Sequence, residues 1–222
     1  MPLKRYISFS LYGGNPLYSV GMAENIAVAP KVYPGWTVVV HADEAAAANL
    51  TARVRDGYEL KTYPPSNGHS GMFWRFRTAW EADGECTIFR DADSRLNVRE
   101  KAAVDAWLAS GRMAHVMRDH PDHKFWPMLG GMWGLRNGSI PLLPKLMSTW
   151  EDLPEKLQDM QFLRMVVWPL IKDDMVHHSS VETPVAAWEP FPAHEAYTGF
   201  VGEIVRVKEE GRSGGQGLYY TG

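Results

Sequence analysis

The sequence predicts an α/β fold, a mostly parallel central sheet flanked by helices in a single domain, on three observations. Apolar runs of strand length alternate with helix-length stretches through the first half, a β-α-β-α-β-α-β order that suits parallel strands joined by crossover helices. Gly and Pro clusters mark several of the changes from one element to the next. The 222 residues, 45% apolar and 12% aromatic, are enough for one large core, and no repeat or linker divides them.

The elements are read in order. Arg5–Leu11 is a strand that ends at Gly13-Gly14-Asn15-Pro16, and a helical pattern follows (Leu17, Val20, Met22, Ile26, Val28), stopping near Pro30–Pro34. Trp36–His41 is a buried strand, after which Asp43 caps an alanine-rich helix running to about Arg55. Tyr58–Tyr63 is the third strand, Met72–Trp80 a helix, Cys86–Phe89 the fourth strand, and Val98–Leu108 a helix ended by Gly111. The second half is less regular. Strands are expected at Ala114–Met117, Leu129–Leu135 and Asp174–His177, with helices over Pro141–Trp150 and Pro154–Trp168. In the last of these helices Leu153, Leu157, Met160, Leu163 and Val167 make an apolar stripe that should face the core. The domain is drawn as 1–208, with 209–222 a mobile Gly-rich tail.

Composition excludes several classes. Net charge is −3, and no Lys/Arg run is long enough to track a nucleic-acid backbone. The single cysteine, Cys86, cannot build a disulfide framework or a zinc–thiolate site, so a reducing, cytoplasmic setting is expected. No signal-peptide pattern opens the chain, and no window reaches the roughly 20 apolar residues of a membrane span.

The chemistry concentrates after the fourth strand, in Thr87-Ile88-Phe89-Arg90-Asp91-Ala92-Asp93. In an extended segment residues two apart point the same way, so Asp91 and Asp93 can present both carboxylates to one hard cation. Such a pair neutralises Mg²⁺ or Mn²⁺ and leaves positions for phosphate oxygens and water. Ligands on parallel sheets gather beyond the carboxyl ends of strands, where both this pair and the Leu11–Gly14 loop fall. Of the nearby arginines, Arg75 is the one expected at bound phosphates or sugar, Arg77 a surface residue, and Arg90 a structural partner of the acidic cluster. Gly130-Gly131 permits close backbone approach. His177 can offer an imidazole as a third metal ligand; His178 would face the other way. The polar loop Arg118–Pro127, with Asp119, His120 and His123, suits a sugar or acceptor pocket.

Taken together, these segments resemble the GT-A-fold glycosyltransferases that use nucleotide-sugar donors. The likeness runs from residue 5 to about 180. Ser8–Gly13 is similar to their first strand and nucleotide-binding loop, Phe73-Trp74-Arg75-Phe76 to their aromatic-Arg element, and Asp91-Ala92-Asp93 to their Asp-x-Asp. Leu129–Gly134 resembles the stretch lining the donor sugar, Gln158–Leu163 the Asp-Gln-Asp-Phe-Leu helix start, and Val176-His177-His178 the segment whose His completes the metal site. The resemblance implies a donor site of Ser10, Leu11, Tyr12, Arg75, Asp91, Ala92, Asp93, Gly130 and Gly131, with Tyr12 stacked on the base. It implies Mn²⁺ (or Mg²⁺) on Asp91, Asp93 and His177 and catalytic roles for Asp159 and Gln161; acceptor or sugar contacts are expected from the Arg118–Pro127 loop itself, at Asp119 and His120.

The expected activity is transfer of a sugar from a nucleotide-sugar, a UDP-sugar, to a hydroxyl of an unknown acceptor: a sugar, a lipid-linked glycan or a protein. Two alternatives stand beside it. Thr87–Leu96 also resembles the opening of haloacid-dehalogenase phosphatases, whose first Asp attacks phosphate; that opening lies on a first strand, whereas three strands precede Asp91. A nucleotide-sugar-binding module without turnover is the other, because Asp-Gln-Asp is here Asp159-Met160-Gln161, with one carboxylate.

Overall fold

The computed structural model describes residues 2–184 and 186–205; the tail drawn at 209–222 lies outside them. Seven strands, β1 (Lys4–Leu11), β2 (Thr37–Asp43), β3 (Glu59–Tyr63), β4 (Gly84–Arg90), β5 (Ala114–Arg118), β6 (Trp133–Arg136) and β7 (Met175–Ser179), form one sheet in the order β3-β2-β1-β4-β6-β5-β7. All neighbours pair in parallel except β6, which is antiparallel to β4 and β5. The order reverses at β1, so the crevice beyond its carboxyl end, beside that of β4, is the topological switch point where such sheets bind ligands.

The helices of the first half form where the sequence places them. Helix α1 (Pro16–Val32) starts at Asn15, whose side chain accepts the Leu17 N–H at 3.0 Å. It runs through Pro30 rather than stopping there, because only one N–H is lost and Tyr33 N still reaches Ala29 O at 2.7 Å. Asp43 caps α2 (Glu44–Thr51) by accepting from Ala46 N, and its other oxygen accepts from Gly13 N at 2.9 Å, tying the loop after β1 to β2. Helix α3 (Val98–Ser110) is capped by Asn97 and ends on Gly111 at φ +73, a left-handed position that glycine adopts without strain. Between β3 and β4 the expected helix is a 3₁₀ segment, Ser70–Trp80.

The second half departs further. The chain turns at Leu129–Met132, with Met132 N donating to Leu129 O, so β6 begins only at Trp133. The helix expected over Pro141–Trp150 is reduced to α4 (Leu143–Met147). The next starts late, at α5 (Gln158–Phe162), widens into a π-turn at Leu163–Val167, and closes as α6 (Trp168–Ile171). Only Met160, Leu163 and Val167 of the predicted stripe are buried; Leu153 and Leu157 lie before the helix and are exposed.

Two apolar layers sandwich the sheet. One packs α1, α2 and α3 on Ile7, Phe9, Val38, Val40 and Ile88. The other joins Phe73, Phe76, Phe89, Trp133 and Phe162, whose rings meet mostly edge to face at centroid distances of 4.2–6.4 Å. No helix among the described residues is long and apolar enough to cross a membrane.

Candidate active site: a clamped carboxylate cluster at the switch point

A cleft of about 460 Å³ opens beyond the carboxyl ends of β1 and β4, and its walls include Ser10, Tyr12, Arg75, Asp91, Asp93 and Asp159. Local contacts set the floor. Ser8 Oγ donates to Arg75 O at 2.8 Å, and Ser10 Oγ accepts the Arg75 N–H at 2.9 Å, so alternate serines of β1 bolt the 3₁₀ segment to the sheet. The Arg75 side chain is therefore held in place from its own backbone. Its guanidinium reaches Asp91 Oδ1 with one nitrogen, and Asp159 Oδ2 with the other at 2.8 Å. Burial works against the Arg75 charge, but Asp91 and then Asp159 outweigh it, leaving its pKa raised.

β4 ends at Arg90, and Asp91–Ser94 is a turn closed by Ser94 N–H to Asp91 O at 3.3 Å. The acidic pair thus faces the cleft by turn geometry, not by the strand alternation the sequence suggested. Helix α1 fixes this turn. A Cβ on Gly21 would stand 2.2 Å from Ala92 O, so glycine lets the helix approach this closely. Asn25, buried on α1, donates to Ser94 O at 2.8 Å and accepts from Leu96 N at 3.0 Å.

Electrostatically the floor is one cation short. Asp91, Asp93 and Asp159 outnumber the Arg75 guanidinium and the Lys156 ammonium that line the cleft with them. Burial, and then the neighbouring Asp91, push the Asp93 carboxyl up to about 6. Burial also raises Asp159, against the pull of Arg75. A divalent cation held by two carboxylates, with phosphate and water completing its shell, fits this charge deficit. Among the described residues no three His, Cys, Asp or Glu side chains gather to hold a metal by themselves.

Several predicted residues take other places. His177 is buried under β5, hydrogen-bonded to Arg118, away from the cleft lining. Burial, then the Arg118 charge, depress it to about 3. It forms no group with the acidic pair, because β7 lies three strands from β4. His178 instead contacts His115 at 2.8 Å, Nδ1 to Nε2. Asp119 accepts two bonds from Arg99, at 2.6 and 2.7 Å, and one from Val201 N, which makes it a structural tie. Arg90 pairs with buried Glu100 at 3.2 Å, not with the acidic cluster. Leu11 is core, and Gln161 lies outside the lining. Arg77 pairs with Glu151 at 2.6 Å, near the surface as expected.

Ser10, Tyr12, Arg75, Asp91, Ala92, Asp93, Gly130 and Asp159 do converge on the cleft. Gly131 lies directly behind Asp91: a Cβ there would be 2.0 Å from Asp91 Oδ2. Met132 lines the cleft within the Leu129–Gly134 stretch expected at the donor sugar, whereas sequence alone assigns no cleft role to Met160, Lys156 or the Gly202–Ile204 segment, which line it too. Met160 falls within the apolar stripe read as core, while Lys156 and Gly202–Ile204 carry no pattern and arrive from a loop and the end of the described chain.

No protein-family model and no curated protein matches the chain. Solved structures do. A glycosyltransferase involved in the glycosylation of the major capsid of PBCV-1 superposes with a TM-score of 0.51 over 80% of this chain and 82% of that one, at 14% identity. Rv0371c of Mycobacterium tuberculosis H37Rv, solved in complex with manganese, gives a TM-score of 0.50 over 81% and 90%, at 11% identity. At these identities the likeness is one of fold. The chain has the GT-A-like α/β fold that the resemblance implied.

Proposed function

We propose that the chain is a glycosyltransferase that moves a sugar from a UDP-sugar to a hydroxyl acceptor, with Mn²⁺ (or Mg²⁺) as its metal. The observation that carries this reading is the Arg75-clamped carboxylate floor, one cation short, at the switch point of a GT-A-like sheet. In the transfer the acceptor oxygen bonds to the anomeric carbon as the bond to the donor phosphate breaks. The electron pair leaves with the nucleoside diphosphate, and the hydroxyl proton is released. A cation held by Asp91 and Asp93 would neutralise charge growing on that leaving group. Tyr12, set edge-on to Trp74 at 6.2 Å, walls the end of β1 where the base would stack.

Arg75 orients the floor rather than standing free for phosphate, since Asp91 and Asp159 occupy its ends. Asp159 uses one oxygen on Arg75 and accepts the Met160 N–H with the other, which suits positioning better than proton abstraction. The resemblance had assigned Asp159 a catalytic role; the reading here makes it part of the clamp.

Asp91→Ala and Asp93→Ala are each expected to weaken Mn²⁺-dependent UDP binding, measured calorimetrically, by at least about a hundredfold while the fold survives. Unchanged affinity in both variants would sink the proposal. Release of sugar from a UDP-sugar then separates an enzyme from a binding module without turnover. A further consequence concerns Gly131. Gly131→Ala should drive Asp91 off Arg75 and reduce UDP affinity at least about tenfold, and a crystal structure showing Asp91 unmoved would contradict this.

A further inference from the structure

The cleft continues past the acidic pair. Beyond His123 and Gly202, which wall both parts, lies a second lobe of about 390 Å³ whose other sides include His120, Asp122, Phe200 and Glu203. Its three rings form one cluster. His120 stacks on Phe200 with centroids 4.5 Å apart and 28° between planes, and His123 meets each at 5.8 Å. The segment carrying Phe200 and Glu203 is fixed at both ends. Val201, fully buried, donates its N–H to Asp119 at 2.9 Å, and Val205 N donates to Asp93 O at 2.8 Å. The lobe therefore shares a backbone tie with the metal-side acid.

Hydrogen bonds define which nitrogens remain for a ligand. His120 Nδ1 accepts the Asp122 N–H at 3.3 Å, and His123 Nδ1 accepts the Asp119 N–H at 3.1 Å. In a neutral imidazole the other nitrogen then carries the proton, so His123 keeps Nε2–H as a donor. Burial, and then neighbouring His120, hold His123 down to about 4, so it stays neutral near pH 7. The acceptors of the lobe are the carboxylates of Asp122 and Glu203, and no Lys or Arg side chain lines it among the described residues.

We propose that this second lobe is the acceptor subsite and that it takes a saccharide without an acid group. The assignment to the acceptor rests on the donor reading above. Each saccharide hydroxyl both donates and accepts, which matches a wall that interleaves N–H donors with carboxylates. The apolar C–H face of a sugar ring can pack against the aromatic cluster. An acidic acceptor would instead meet two carboxylates with no Lys or Arg side chain to offset them.

The test follows the His120 and His123 ring protons by NMR during titration with methyl α-glucopyranoside, glucosamine and glucuronate, with and without UDP and Mg²⁺. Both rings should shift with the first two sugars and not with glucuronate. Phe200→Ala should weaken saccharide binding at least about tenfold, while UDP affinity measured by calorimetry stays within about twofold. Glu203→Lys, at a half-exposed position, should admit glucuronate and weaken glucosamine. Wild-type binding of glucuronate, or no ring shift with either of the other sugars, would overturn the proposal. Saccharide shifts without any UDP binding would instead remove the donor reading and leave a saccharide site.

Discussion

Replacing Arg75 with Met is expected to destabilise the fold by about 3–5 kcal/mol and to abolish metal-dependent UDP binding. The stability loss comes mainly from Asp159, because both members of the Arg75–Asp159 pair are only 6% exposed, whereas the Asp91 side chain is 46% exposed and screened by solvent. Removing the guanidinium strands a buried carboxylate, which costs more than the intact pair contributes. For a chain of this size that corresponds to a fall in Tm of about 10 °C. The double variant Arg75→Met/Asp159→Asn should recover part of the stability, since the stranded charge is gone, but none of the binding, since Asp91 still lacks its anchor. Arg75→Lys keeps a charge but not the fork that spans two carboxylates, so stability should fall less than affinity. A Tm for Arg75→Met within about 2 °C of wild type would show that the cluster is not clamped as described.

The clamp also marks the limit of what the sequence discloses. Strands β1 to β4 and their helices are legible because local signals agree: Asn15, Asp43 and Asn97 cap where capping residues stand, and β2 is a continuous, largely apolar run. Two-residue spacing puts Arg75 and Arg77 on different faces of a helix, and Arg75 is the one in the stretch resembling the aromatic-Arg element; its buried position agrees with that choice. That Arg75 would be spent on Asp91 and Asp159 is not legible, because those partners lie 16 and 84 residues away.

The second half misleads for a different reason. His177 is expected as a third ligand from its residue type and from the resemblance of Val176–His178 to a metal-completing segment, but pairing β7 with β5 puts it beside Arg118. Asp119 attracted an acceptor role as a loop acid, yet Arg99 and the Val201 N–H saturate it. In both cases a long-range partner with no sequence signature decides the role. Cleft residues 202–204 are invisible for the same reason: they reach the site through contacts with Asp119 and Asp93, not through a pattern.

Lowering the pH from 7 to 5.5 is expected to reduce folding stability, and the histidines set the sign. His41 and His177 are depressed to about 3, His123 and His178 to about 4, and His115 well below its ordinary value, in each case chiefly by burial. His41, for example, lies between Tyr63 OH at 2.8 Å and Thr78 Oγ1 at 2.7 Å, where positive Lys61 and Arg77 nearby further disfavour a proton. A histidine with a depressed folded pKa is neutral in both states above about 6.5, so it contributes fully there. Below that pH the unfolded chain takes up protons the folded chain refuses, and stability falls until the folded pKa is reached. Each such group contributes about 1 kcal/mol over this interval. Asp93, raised to about 6, opposes them by binding a proton only when folded, and the raised Asp159 and Glu100 act in the same sense. Five histidines outnumber these acids, so the net effect is a loss of stability, readable as a lower urea midpoint at pH 5.5 than at pH 7. His41→Gln, which can keep both hydrogen bonds without titrating, should flatten the pH dependence by about one proton. A midpoint that rises or stays level on acidification would mean that these rings are protonated in the folded chain, and with them the buried hydrogen-bond network around β5 and β7 would need to be redrawn.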